Sequence, residues 1–232
     1  TIRFMRKLII GLSLLSAVFM ISCSKDENVA KDYTYTFNEE FLDNEKGWFV
    51  DESKPEKFTF SQVDADNGLF NISYFSSFGF DIPTYSDSKS GGFNIANNFI
   101  LATSLTWDAS SGNFSAKSGK YCGLSWDVID DKNYSKIGVS LNPTTLDVTY
   151  KVVKVVNGKS TDIVTPDSVA IVSTTPPVYT LKVEKIDNEF IFKINTAVVG
   201  TSSSVGLSSS NIGMHVDKDN KVNFHYLFAS EE

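Results

Sequence analysis

Carboxylates are the groups in this chain best able to do chemistry, and their spacing decides between catalysis, metal binding and turn formation. Splitting a glycosidic bond takes two carboxyl groups about 5 to 10 Å apart across the sugar. Glu184, Asp187 and Glu189 come nearest to such a set. They straddle an expected hairpin turn, however, and read as solvated turn residues. Asp127, Asp130 and Asp131 follow the Trp126 strand and read as its turn. Asp64-Ala65-Asp66-Asn67-Gly68 offers oxygen ligands at Asp64 and Asp66, at alternate positions before a glycine, as a tight calcium loop does. An EF-hand is excluded, because Phe75 stands where its twelfth-position acid belongs. Asp217, Asp219 and Asn220 form a second acidic turn, open to the same two readings of calcium site or hairpin turn. No residue set demands a cofactor, and calcium is the one ion with visible ligands. His215 and His225 would approach each other across the second turn, yet two imidazoles without a third ligand seldom hold zinc. Cys122 falls in the apolar alternation Cys122, Leu124, Trp126, Val128 and reads as a buried, inert thiol.

Binding without catalysis asks less: a rigid aromatic surface with polar neighbours. Phe70, Tyr74, Phe75, Phe78, Phe80 and Tyr85 make the chain's most aromatic stretch, broken by Gly79 and Pro83. Those breaks predict that Phe78, Phe80 and Tyr85 sit on a loop. With Tyr74 they are the candidate contact surface for sugar rings, which stack on aromatic faces. Plugging one open end of a β-sandwich is the other reading of the same residues. Trp48, Trp107 and Trp126 read as core.

The sharpest signal stands at the N-terminus. Arg6 and Lys7 precede an apolar run over residues 8–21, shorter than the roughly 20 residues of a membrane span and suited to a signal peptide. Met5 reads as the start. Met20-Ile21-Ser22-Cys23 resembles a bacterial lipobox, which implies lipidation of Cys23, a signal peptide over 1–22 and a polar tether over 23–32. Ser24-Lys25-Asp26-Glu27-Asn28 is similar to the surface-export signal of Bacteroidetes lipoproteins. It implies an outer-membrane lipoprotein exposed at the cell surface and held by acyl chains. Losing residues 1–22 removes Arg3, Arg6 and Lys7 and no anion, taking the net charge from −7 to −10. Such a domain is a poor partner for nucleic acid and does not adhere electrostatically to an anionic membrane. With Cys23 lipidated, no intrachain disulfide is expected.

Beyond the tether the 232-residue chain has 18 Phe and 9 Tyr, ample apolar area to offset chain entropy. From Tyr33 it reads as short strands between Gly, Asn, Asp, Ser and Pro turns. Phe99, Leu101, Leu105 and Trp107 share a face, as do Ile137, Val139 and Leu141, and Val222, Phe224, Tyr226 and Phe228. Two runs, 179–185 and 190–194, flank a turn at 186–189. No segment holds a helical period over three turns. About a dozen strands without helical crossovers predict one all-β domain over 33–232, built of antiparallel sheets.

The order of several motifs sharpens the prediction. Phe37-Asn38-Glu39-Glu40-Phe41, Gly47-Trp48, Asp66-Asn67-Gly68-Leu69-Phe70-Asn71-Ile72 and the run from Gly119 to Trp126 are followed by Asn133-Tyr134. Then come Tyr179 to Val183, Phe190 to Asn195, and Ile212-Gly213 before Val222-Asn223-Phe224. This series resembles the concanavalin A-like lectin/glucanase superfamily, in particular its laminin-G-like and 3-keto-disaccharide hydrolase-like domains, over residues 36–230. The resemblance implies a two-sheet jelly-roll sandwich and a glycan as partner. Glucanases of that fold carry a Glu-x-Asp-x-Glu strand, which is absent here. The expected function is therefore non-catalytic carbohydrate binding, with a glycoside hydrolase-like enzyme of the 3-keto-disaccharide type or a structural, adhesive protein-binding role as the alternatives.

Overall fold

A computed structural model describes residues 34–41, 58–64, 67–74, 82–85, 94–109, 112–169, 177–203 and 205–231; before residue 94 this is backbone course, residues 37–41 excepted. All regular structure among them is β. The strands are β1 (Thr34–Glu39), β2 (Phe58–Asp64), β3 (Asn67–Tyr74), β4 (Ile82–Tyr85), β5 (Phe99–Trp107), β6 (Cys122–Asp130) and β7 (Asn133–Leu141). They continue with β8 (Val148–Val156), β9 (Lys159–Val169), β10 (Tyr179–Ile186), β11 (Glu189–Ile194), β12 (Ala197–Ser202), β13 (Gly213–Val216) and β14 (Asn220–Glu231).

Two antiparallel sheets stack as the expected jelly-roll sandwich. One runs β12-β11-β10-β5-β14-β3-β2, with β1 also on β14; the other runs β4-β13-β6-β7-β8-β9. The twelve-residue β14 serves two partners on one edge, its first residues pairing β3 and its last ones β1. Alternation explains the core. Leu101, Leu105 and Trp107 from β5, Ile137, Val139 and Leu141 from β7, and Leu181 and Val183 from β10 meet between the sheets with 0–1% exposure. Trp126 reaches across to Phe192 at 5.8 Å between ring centroids, and Trp107 meets Tyr179 edge-on at 5.9 Å. The Tyr150 hydroxyl donates to the Val199 carbonyl at 3.1 Å, tying β8 to β12 across the sandwich. Cys122 is buried in this core. Trp48 lies outside the described residues.

Three expectations about the strands need correcting. First, the Cys122-to-Val128 alternation does not run through. Asp127 takes φ +52° and the β6–β7 register shifts between Trp126 and Asp130. That bulge turns Val128 to the outer face, where it packs with Tyr134, Val153 and Val155. Second, β13 and β14 are not a hairpin: they lie in different sheets. His225 stands on a strand of the larger sheet, so no pairing with His215 across a turn exists. Third, Tyr85 is on a strand rather than a loop. β4 is the outermost strand of its sheet, the position at which a strand tolerates a proline such as Pro83.

Candidate functional site

The outer face of the six-stranded sheet carries a cleft of about 200 Å³ lined by Tyr121, Tyr134, Lys136, Lys151, Ser160 and Asp217, among others. Alternation puts these side chains there. Tyr134 and Lys136 are the outward residues of β7, whose inward residues are Ile137, Val139 and Leu141. On β13, Met214 and Val216 point into the core and His215 points out. Two turns wall the cleft. One is Asn157-Gly158, whose positive φ values of 51° and 75° suit the two-residue link between β8 and β9. The other precedes β6 and brings Tyr121 onto β7 at Gly138, where a Cβ would stand 3.1 Å from the Tyr121 Cβ.

Lys136, His215 and Asp217 meet at the cleft floor, all three buried. Lys136 Nζ donates to Asp217 Oδ1 at 2.9 Å, and the Tyr121 amide donates to Asp217 Oδ2 at 2.8 Å. His215 Nε2 touches both Lys136 Nζ and Asp217 Oδ1. That nitrogen carries at most one hydrogen: with it, His215 donates to Asp217; without it, His215 accepts from Lys136. Burial opposes ionisation of Asp217. The charge and hydrogen bond of His215, the Lys136 ammonium and the Tyr121 amide outweigh it and hold the carboxyl well below the usual carboxylate range. The ring of Tyr134 lies 5.8 Å from that of His215 and covers it, leaving Tyr121 as the more accessible aromatic.

Asp217 is the one carboxylate among the described lining residues, and a group held ionised cannot serve as a general acid. Ser125 pairs with Lys136 across β6 and β7 and is wholly buried, and its hydroxyl makes no hydrogen bond among the described residues. A second depression of about 400 Å³ mixes apolar side chains, Ile95, Phe190, Val205 and Leu207, with the polar Lys185, Asn188 and Ser203. Its one ammonium, on Lys185, is taken by the Ala96 and Asn97 carbonyls at 3.1 and 2.9 Å.

The residues singled out in sequence fall elsewhere. Tyr74 ends β3 opposite Asn220 in the larger sheet; Tyr85 ends β4 opposite Gly213 in the smaller one. Phe78, Phe80, Asp66 and Cys23 lie outside the described residues. Asp64 pairs with Asn67 where β2 turns into β3. In the second acidic turn, Asp217 is engaged as above, and Asn220 is a structural clasp. Its Oδ1 accepts from Trp107 Nε1 and the Lys117 amide, and its Nδ2 donates to the Asp217 carbonyl at 2.9 Å. Asp127 proves structural too, its Oδ1 accepting the Ser208 and Ser209 amides at 2.6 and 2.8 Å. Glu184 is buried on the sheet face, ion-paired with Lys193 at 2.7 Å, rather than a solvated turn residue. Among the described residues, no three of His, Cys, Asp and Glu gather as a metal site would need. Sequence reasoning missed Tyr121, Tyr134, Lys136 and Lys151. The polar half of the β7 alternation is the signal that marks two of them.

No protein-family model matches the chain, and no curated protein matches it in sequence. In fold it is similar to a point mutant of the GH43 protein BlXynB of Bacillus licheniformis, with TM-score 0.56 and 11% identity. It is likewise similar to the xyloglucan PUL GH43B protein of Bacteroides ovatus, with TM-score 0.53 and 13% identity. Each match covers 84% of this chain and 39% of the other, so the chain spans about two fifths of those proteins. At such identity the likeness shows the fold.

Proposed function

We propose that this chain is a non-catalytic carbohydrate-binding domain, displayed at the cell surface on a lipid attached to Cys23. The observation that carries the reading is the cleft itself. One accessible tyrosine ring stands beside ammonium, hydroxyl and carboxylate groups fixed by strands of a rigid sheet, the combination that orients a sugar by stacking and hydrogen bonds. Support of a broader kind comes from the fold, since one of the proteins similar to it is named for xyloglucan. The aromatic stretch at Tyr74, Phe78, Phe80 and Tyr85 would extend the contact surface, and Asp64 and Asp66 would supply calcium dependence if the site uses that ion. A glycan array probed with residues 24–232, in calcium and again in chelator, tests the reading. Selective capture of one glycan class, lost in Tyr121→Ala, is the expected result. A blank array rejects sugar binding. Capture that survives Tyr121→Ala but fails when Phe78 and Phe80 are both changed to Ala moves the site to the aromatic stretch.

A further inference from the structure

We infer that the cleft prefers a sugar bearing an anionic substituent, a uronate carboxylate or a sulfate ester; this rests on the carbohydrate-binding reading of the same cleft. The chain as a whole is acidic, with formal net charge −7, but the charge around this cleft has the opposite sign. Lys136 and Lys151 line it against the single carboxylate Asp217. The turn before β6 carries Lys117 and Lys120, and β9 opens with Lys159, all at exposed positions.

The two lining lysines have different roles. Lys136 is buried and committed to Asp217, so it neutralises that carboxylate rather than meeting a ligand. Lys151 is about one-third exposed and holds only a loose pair with Asp162, at 3.7 Å. An exposed pair at that distance contributes little, and its ammonium is available to an incoming anion. A carboxylate or sulfate stacked beside Tyr121 would then take a charge-assisted hydrogen bond from Lys151. The exposed lysines around it would favour approach of the anion. The tyrosine and the enclosed floor argue for a sugar over a bare polyphosphate, which needs no ring surface.

The test compares three sugars on the full chain by calorimetric titration at low and high ionic strength, with inorganic polyphosphate titrated alongside. They are an oligogalacturonate, its fully methyl-esterified neutral form and a sulfated oligosaccharide of the same length. The acidic forms should bind about tenfold more tightly than the ester, with the advantage shrinking at high salt. Carboxylate and sulfate arms then tell the two anions apart. Lys151→Gln should collapse the acid-to-neutral ratio, and Lys151→Arg should restore it. Equal binding of acid and ester overturns this inference while leaving the carbohydrate reading intact. Failure to bind any of the three, together with a blank array, overturns both. Equally tight binding of inorganic polyphosphate overturns it as well, marking an unselective anion patch.

Discussion

Asp217 concentrates the residue-scale logic of the site. Replacing it with Asn leaves the buried Lys136 ammonium without its anion, and breaking such a pair costs about 3 kcal/mol, measurable by urea unfolding. The pH dependence follows from the direction of its shift. The folded carboxyl lies below its ordinary value, so the unfolded chain binds more protons as acid is added. Its contribution to stability is fully present above about pH 4 and is lost as pH falls below that, a slope that Asp217→Asn should remove. His225 acts in a different window. Burial lowers its pKa from 6.5, so the unfolded state takes up the proton first and stability declines as pH drops through about 6.5. Melting curves of His225→Gln should be flatter there; an unchanged slope assigns the effect to another group. The contact of Lys136 with His215 and Asp217 was not legible in sequence. Lys136 looks like any outward residue of an alternating strand, and its partners lie about eighty residues on, brought near by the strand order β13-β6-β7.

Elements were more legible than their sheet membership. The β10–β11 hairpin forms where two apolar runs flank Ile186-Asp187-Asn188-Glu189, with Asp187 at φ +54°. By contrast, β13 and β14 have the alternation of a hairpin yet part into separate sheets, because alternation records burial and not partner. The buried Asn220, clasped by Trp107 and the Lys117 amide, holds the crossing point. The bulge at Asp127 was hidden for a related reason: a positive φ at an aspartate leaves no mark in an apolar pattern. Its carboxylate pins residues 208–209 to β6, and Lys154 adds a bond to the Gly206 carbonyl at 2.7 Å. Asp127→Ala should therefore cost about 3 kcal/mol and raise amide exchange across residues 206–211 before the rest of the domain. Uniform exchange at global-unfolding rates would contradict the staple.

At the scale of the whole molecule, two antiparallel sheets fill their interior with apolar side chains, and the outer face of the smaller one carries the cleft proposed to bind sugar. The jelly-roll was readable because strand spacing and turn residues repeat along the chain; which face carries the cleft was not, since that depends on sheet order. Truncating the core at Leu124→Ala should cost about 3 kcal/mol with the cleft otherwise intact. Cys23→Ser should abolish incorporation of a fatty-acid label in a lipoprotein-processing host; labelling that persists would refute the proposed anchor. The most direct test of the central claim is a backbone NMR titration with the oligosaccharide selected on the array. Shifts should concentrate at Tyr121, Lys136, Lys151, Gly158 and Ser160. Shifts confined to the depression around Lys185 and Phe190, or to the outer face of the eight-stranded sheet, would contradict a sugar site in this cleft.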